Sequence, residues 1–300
     1  MKILYLFTAI EQLVLTVITA LSLSLSGASS CEITVNPKNP EGLITSFSVV
    51  SDTHVETTAS DNYNQFIDIL NGLKSCGSEA AVFLGDNTMN GQYLESVLFY
   101  SAVKKVAPAD KILVALGNHD VGNGKGNYNK LCKRFLRFNS GYLDNSSEKP
   151  YYYRVISGCY MIFLASEDLS VHSSVISEEQ YNWLSSLLLE ASSQNAPIFV
   201  FNHHTINQFE GEREDDIVDL LAGYENLIYF NGHTHWQLDE YSFSTRNGVR
   251  TVYLPCVKGA GYPAGDGIVV EVYASEVIIR CRNFIDGTWL EIPEQVYSFN

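Results

Sequence analysis

Six of the seven histidines in this chain stand in short polar clusters that also contain aspartate or asparagine. The clusters are Asp52-Thr53-His54, Gly85-Asp86-Asn87, Gly117-Asn118-His119-Asp120, Asn202-His203-His204 and Asn231-Gly232-His233-Thr234-His235. Imidazole, carboxylate and amide oxygen are ligands that divalent metals such as Zn, Mn and Fe accept in proteins. One ion binds about four to six ligands, so seven or eight candidates are too many for one metal and suit two.

The charge of the chain indicates why metal ions would be needed. Lys and Arg total 19 and Asp and Glu total 34, which gives a net charge of −15. Such an acidic protein is not expected to bind nucleic acid or an anionic membrane through a broad basic face. A phosphorylated substrate would need positive charge from another source, and two cations about 3.5–4 Å apart are a known arrangement for displacement at phosphorus. We therefore expect a small phosphorylated substrate as the partner.

Each polar cluster directly follows a short apolar run of the kind that forms strands buried on both faces. The runs are Ile44–Ser51, Ala80–Leu84, Lys111–Leu116, Pro197–Phe201 and Asn226–Phe230, and Cys159–Ala165 is a sixth run of the same kind. In open α/β sheets, the loops at the carboxyl ends of the strands form the ligand crevice. Five strands would thus deliver Asp, Asn and His side chains to one edge.

Helical patterns separate these strands and predict an α/β layered fold. Phe66, Ile69, Leu70 and Leu73 have helical spacing, Ser177 and Gln180 form a capping box, and a short helix over Asp215–Ala222 is expected to end at Gly223. Val249–Leu254 and Gly267–Arg282 are strand-like, which predicts a second, more antiparallel sheet or a continuation of the first.

The N-terminal segment differs from the remainder of the chain. Leu13–Leu25 is apolar and the small residues of positions 26–30 follow it, a pattern typical of an export signal. We predict a signal peptide or anchor over residues 1–30, a linker over 31–42 and one domain over 43–300, and we expect a secreted, periplasmic or cell-surface protein. Lipidation of Cys31 and a retained anchor are the alternatives, so any membrane contact would go through this segment alone. Asn145-Ser146-Ser147 is a glycosylation sequon for a eukaryotic host.

Taken together, the clusters resemble the signature of the calcineurin-like metallophosphoesterases, which is DxH, GD, GNH[DE], a single H and GHxH. All five blocks are present in order, and Asp52 and Asp86 are 34 residues apart while Asp86 and Asn118 are 32 apart (86 − 52 and 118 − 86). The resemblance covers residues 44–240 and implies a four-layer α/β/β/α sandwich of two mixed sheets. The segments between the motifs also resemble the subgroup of cyclic-nucleotide phosphodiesterases and small acid phosphatases.

The resemblance also implies a role for each motif residue. Asp52, His54 and His235 would hold one divalent metal, Asn118, His203 and His233 would hold the other, and Asp86 would bridge them. His119 would be a catalytic acid that is hydrogen-bonded to Asp120. Two positions depart from the family: Thr205 replaces the proline of H-x-P, and Met89 stands where purple acid phosphatases have an iron-binding tyrosine, which argues against a tyrosinate–iron(III) site.

The function expected from this pattern is hydrolysis of phosphodiester or phosphomonoester bonds by a hydroxide that bridges two Mn, Fe or Zn ions. The shared metal core does not distinguish the two kinds of ester. A non-catalytic metal-binding scaffold on the same fold is the alternative from a different functional class. A mononuclear zinc hydrolase is a further one, although it would leave half of the ligands unused.

Overall fold

The computed structural model describes residues 37–57, 60–105, 111–211 and 213–299 of the chain. The helices are α1 (Ser60–Cys76), α2 (Tyr93–Val103), α3 (Tyr128–Leu143), α4 (Glu178–Ser193) and α5 (Glu214–Ala222). The strands are β1 (Thr45–Val50), β2 (Ala80–Phe83), β3 (Ile112–Val114), β4 (Tyr152–Ile156), β5 (Cys159–Phe163), β6 (Ser174–Val175), β7 (Ile198–Phe201), β8 (Phe209–Glu210), β9 (Leu227–Asn231), β10 (Phe243–Arg246), β11 (Val249–Tyr253), β12 (Asp266–Val272), β13 (Glu276–Asn283) and β14 (Gln295–Ser298). The predicted signal segment lies outside the described residues and stays a prediction.

Two six-stranded sheets form the centre of the molecule. The first has the order β14-β13-β12-β1-β2-β3 and the second has the order β10-β11-β9-β7-β5-β4. Apolar side chains from both sheets meet between them; the ring of Phe47 on β1, for example, lies 5.0 Å from that of Phe199 on β7. Burial of these side chains away from water holds the sheets face to face.

Helices cover the outer face of each sheet. Leu184 and Leu188 of α4 and Leu221 of α5 pack on β7 and β9 of the second sheet. On the first sheet, the ring of Phe99 in α2 lies 5.3 Å from that of Phe83 in β2. The predicted fold class, a four-layer α/β/β/α sandwich of two mixed sheets, is confirmed.

The direction of the strands places the polar clusters at one edge. β1, β2 and β3 run parallel, and so do β5, β7, β9 and β11. Clusters that follow β1, β2, β7 and β9 therefore leave the sheets at the same end as the cluster that follows β3. All six predicted apolar runs contain a strand, with ends that differ by at most two residues.

The C-terminal region divides between the two sheets. β10 and β11 extend the second sheet, where β11 pairs parallel with β9, whereas β12 pairs antiparallel with β1 and brings β13 and β14 into the first sheet. The predicted continuation of the first sheet with antiparallel pairing is confirmed for Gly267–Arg282, whereas Val249–Leu254 belongs to the second sheet and pairs antiparallel with β10 alone. Strand pairing between β1 and β12 joins segments more than 200 residues apart, and neither segment's own pattern identifies its partner.

The sequon at Asn145 cannot serve as a glycan acceptor in this fold. The side chain of Asn145 is buried, with 2% exposure, and its Nδ2 atom donates a hydrogen bond of 2.8 Å to the carbonyl of Ile112. That same nitrogen would have to carry the glycan. Among the residues that the structure describes, no helix is long and apolar enough to cross a membrane.

Candidate metal centre

Asp52 stands two residues beyond the end of β1 and is completely buried. Its Oδ2 atom accepts hydrogen bonds from the hydroxyl of Ser51 at 2.5 Å and from the backbone N–H of His233 at 3.2 Å. Its other oxygen, Oδ1, faces Nε2 of His235 at 2.9 Å. One oxygen is thus fixed by the protein, and the other is presented to the imidazoles.

Asp86, which follows β2, has the same division of its two oxygens. Oδ1 accepts a hydrogen bond of 2.8 Å from the backbone N–H of His119. Oδ2 lies 3.1 Å from Nε2 of His203 and 3.9 Å from Nε2 of both His54 and His119. The free oxygens of two buried carboxylates therefore point into one shared space.

The potential ligand atoms form two groups that overlap at Asp86. One group contains Asp52, His54, Asp86 and His235, and the second contains Asp86, His203 and His233; within each group the atoms lie within 4.8 Å of one another. The Nε2 atoms of His54 and His235 are only 3.1 Å apart. A carboxylate common to two ligand groups is the arrangement that a pair of bridged cations requires.

Two buried atoms need a partner that the described protein atoms do not supply. Oδ1 of Asn118 and Nε2 of His203 are buried and have no hydrogen-bond partner among the described residues. The other ring nitrogen of His203, Nδ1, donates to the carbonyl of Leu84 at 3.0 Å, which leaves Nε2 directed at the carboxylate of Asp86, where a bound cation would take the place of its proton. Metal-binding histidines are typically oriented by such a bond, so a divalent cation fits these residues.

The pKa values of the buried carboxyl groups also favour the binding of a cation. Burial raises the pKa of Asp52, but His203 and the hydrogen-bonded His235 outweigh this effect and hold its pKa well below the usual range. The pKa of Asp86 is likewise lowered, chiefly by His203 acting against burial. Burial lowers the pKa of His203, yet Asp86 and Asp52 raise it to about 9. The two carboxylates are thus kept ionised and attract a cation to the space between them.

His204 lies beside this group of ligands but is directed away from it. Its Nε2 atom is 3.3 Å from the carbonyl of Val171, and its ring centroid is 4.5 Å from that of His233. Burial and the neighbouring His203 lower its pKa to about 3. Of the two adjacent histidines, His203 is the one that the structure places with Asp86, as expected from the order of the family motif.

Comparison with known families agrees with this geometry. Residues 45–237 match the family model described as calcineurin-like phosphoesterase. The chain belongs to the calcineurin-like phosphoesterase family. No curated protein sequence was found to match the chain.

Solved structures with similar folds include phosphatases. A dimetal phosphatase from Danio rerio has a TM-score of 0.58 at 12% identity, and the match covers 86% of this chain and 100% of that one. Vacuolar Protein Sorting 29 from Cryptosporidium parvum gives a TM-score of 0.41 at 11% identity, with 85% and 98% covered. At this level of identity, the match to the Danio rerio protein shows a shared fold. The family membership makes the chain a phosphoesterase.

Five of the seven candidate ligands in this phosphoesterase adopt an unusual backbone conformation. Asp52, His54, Asp86, His233 and His235 all have positive φ angles, between 41° and 74°. Left-handed backbone costs a residue other than glycine about 1 kcal/mol or more, and such positions concentrate at functional sites.

Two motif glycines allow separate motifs to approach each other closely. A Cβ atom on Gly117 would lie 2.2 Å from Oδ1 of Asp86, and one on Gly232 would lie 2.6 Å from Oδ2 of Asp52. Both distances are too short for real atoms. The glycines of GNHD and GHxH are therefore explained by contact with the aspartates of other motifs.

The predicted pairing of His119 with Asp120 is wrong. The two oxygens of Asp120 accept hydrogen bonds of 2.9–3.3 Å from groups of Gly117, Asn87 and Thr88, so this carboxylate supports the loops that follow β2 and β3. Nδ1 of His119 is instead 2.6 Å from the backbone carbonyl of Met89. His119 itself lies at the site, 3.9 Å from Oδ2 of Asp86, and 21% of its side chain is exposed.

Three residues near the site were not identified from the sequence. Ser51 fixes Asp52 as described, and Asn123 accepts a hydrogen bond of 3.1 Å from Nδ2 of Asn118, which directs the Oδ1 atom of Asn118 away from it. The thiol of Cys256 contacts the carbonyl of Asp52 at 3.2 Å and lies within 4.8 Å of ligand atoms of His54 and His235. Asn123 belongs to the glycine-rich stretch 122–126.

Proposed function

We propose that this phosphoesterase binds two divalent metal ions, Mn, Fe or Zn, and hydrolyses phosphodiester or phosphomonoester bonds. The observation that carries the proposal is that the carboxylate of Asp86 belongs to both groups of potential ligands. One ion would be held by Asp52, His54 and His235, the other by Asn118, His203 and His233, and Asp86 would contact both. When bound, such ions activate water and neutralise charge on the phosphoryl oxygens.

The protein's own contribution to the reaction centres on His119. Its Nδ1 atom is directed at the carbonyl of Met89, so Nε2 is turned toward Asp86 Oδ2 at 3.9 Å. A partly exposed imidazole held in this way can keep a proton at Nε2 and pass it to the oxygen of the departing alcohol. Asp120 supports this role indirectly, because it fixes the loop of Gly117 that carries His119.

Metal content and hydrolysis measured together test the proposal. Purified protein would be supplied with Mn²⁺ and assayed on p-nitrophenyl phosphate, bis-p-nitrophenyl phosphate and a cyclic nucleotide. We expect hydrolysis of at least one ester that is lost in Asp86→Ala together with the metal. Turnover of the diesters alone would assign the phosphodiesterase subgroup. Two bound ions without hydrolysis of any ester would instead favour the non-catalytic scaffold.

We also propose that residues 1–30 direct export and are removed from the mature protein. The support is the apolar stretch Leu13–Leu25 followed by small residues. N-terminal sequencing of protein recovered outside the cytoplasm should begin near Cys31. A mature chain that still begins at Met1 would contradict removal, and an acylated Cys31 would identify the lipoprotein alternative.

A further inference from the structure

A cavity of about 450 Å³ lies among the loops that follow β7 and β9, which also carry candidate metal ligands. It is lined by residues of the loop after β7, including Thr205, and of the loop after β9, including Thr234 and Trp236. Thr234 stands between His233 and His235, and Thr205 is two residues beyond His203. This side cavity therefore begins one or two residues from ligands of both proposed metal ions. Its volume is in the range of pockets that hold small organic molecules.

The wall of the side cavity combines apolar surface with many hydroxyl and amide groups, and it carries almost no net charge. Hydroxyl and amide side chains predominate, and the charged members are one acid, Asp239, and one base, Arg246. Oδ1 of Asp239 is already engaged as a cap for the backbone N–H of Tyr241 at 2.8 Å. A phosphate group would gain little here beside the proposed cations. The side cavity instead suits an uncharged group with many hydrogen-bonding positions.

Large aromatic side chains stand at this cavity without being buried. The exposed fraction is 64% for Trp236 and 77% for Tyr241, whereas most aromatic residues of the described chain are packed in the core. The backbone beneath Trp236 is held in place, because the hydroxyl of Tyr253 donates to its carbonyl at 3.0 Å. An indole fixed at the rim of a polar cavity can stack on a ring, and Tyr and Trp offer contact area at a low entropic cost.

We infer that the side cavity binds the alcohol part of the substrate, and that this alcohol is an uncharged, hydroxyl-rich ring group such as a sugar or a nucleoside. The inference rests on the proposed phosphoesterase function, since the phosphoryl group would stay at the metal ions. The ring would stack on Trp236, and its hydroxyl groups would meet the amide and hydroxyl side chains of the wall. A nucleoside and a sugar share this chemistry, and the choice of probes separates them.

Three phosphate monoesters with the same reacting group test the inference. Phenyl phosphate lacks hydroxyl groups, whereas adenosine 5′-monophosphate and glucose 1-phosphate carry a hydroxyl-rich ring. We expect Trp236→Ala in the full chain to lower kcat/KM for one of the latter two, relative to phenyl phosphate, by roughly 5- to 100-fold, the range of aromatic–base stacking. Tyr153→Ala is the matched control, because Tyr153 is an exposed aromatic residue on β4, at the edge of the second sheet opposite β10.

Direct binding separates failure of the inference from failure of the proposed function. Adenosine and methyl glucoside contain no phosphate, and saturation-transfer NMR should detect one of them on the wild type and lose the signal with Trp236→Ala. Binding without any hydrolysis would reject the proposed function and keep the cavity as a ligand site. Equal losses on all three esters, or neither neutral ligand bound in the wild type, would overturn the inference.

Discussion

Replacement of Gly117 by alanine would disturb the centre through a single added carbon atom. The new Cβ would lie 2.1 Å from the backbone nitrogen of Asp86 and 2.2 Å from its Oδ1, whereas ordinary contact requires 3.4–4 Å. The carboxylate that belongs to both ligand groups must therefore move by roughly 1 Å. A misplacement of about 1 Å in a catalytic site can lower the rate on the order of 100-fold. We expect a loss of that size in kcat/KM, together with weaker metal binding.

The assay compares Mn-supported ester hydrolysis and metal content for the wild type, Gly117→Ala and Gly141→Ala. Gly141 is the matched control, since it lies within α3 and an added Cβ there would meet no atom within 4 Å. Alanine at that helical position should leave turnover unchanged and stabilise the fold by about 0.5–1 kcal/mol. Wild-type turnover and metal content in Gly117→Ala would refute the reasoning that contact between motifs positions Asp86.

Four further expectations follow from the site and its surroundings. His119→Ala should keep the metal content and lower kcat about 10²- to 10⁴-fold on alkyl phosphates, whose leaving alcohol needs a proton. The loss of kcat on aryl phosphates should be smaller. Equal losses on both kinds of ester would argue against proton transfer by His119. Asn123→Gly removes the oxygen that accepts a hydrogen bond from Nδ2 of Asn118, and glycine tolerates the φ angle of 50° at this position. Calorimetry should show that this variant binds metal about 10- to 100-fold more weakly than the wild type. Asn123→Asp keeps an acceptor oxygen and should bind metal as the wild type does. Burial raises the pKa of Cys159 and Cys281 to about 12, so roughly one thiol in 10⁴ is ionised at pH 8. Peptide mass spectrometry should therefore find that neither thiol reacts with iodoacetamide until the protein is unfolded. Rapid labelling of the native protein would contradict this. Chelation should remove about 2.7 kcal/mol of stability for metal supplied at 100 times its Kd, seen as a Tm lower by roughly 5–10 °C; an unchanged Tm would contradict metal binding.

The sequence predicted the location of the centre well, because the information is local. Each candidate ligand stands within a few residues of a buried apolar run, and parallel strands bring their carboxyl ends together whatever the details of packing. The family resemblance then supplied the assignment of ligands to each metal. His203 is placed with Asp86 although Thr205 departs from the family pattern. Thr205 instead caps a short 3₁₀ turn, and its backbone N–H donates a hydrogen bond to Oε1 of Gln208.

Other features depended on contacts that no local pattern encodes. Helix α2 was not predicted, because it is apolar on nearly every side and buries seven of its eleven residues, which removes the periodicity of an amphipathic helix. Helix α3 does carry that periodicity, because Cys132, Phe135 and Phe138 lie on one buried face. The spacing of its apolar residues is therefore enough to predict it from the sequence. The partner of His119 could not be foreseen, since it is the backbone carbonyl of Met89, a group that every residue possesses.

Metal stoichiometry provides the most direct test of the account. Elemental analysis of wild-type protein and of Asp86→Ala, after equilibration with Mn²⁺ and removal of free metal, measures whether Asp86 joins two sites. We predict about two ions per wild-type chain and loss of both ions, with ester hydrolysis, in the variant. A wild-type chain that binds a single ion, or an Asp86→Ala protein that keeps two and still hydrolyses the ester, would contradict the central claim.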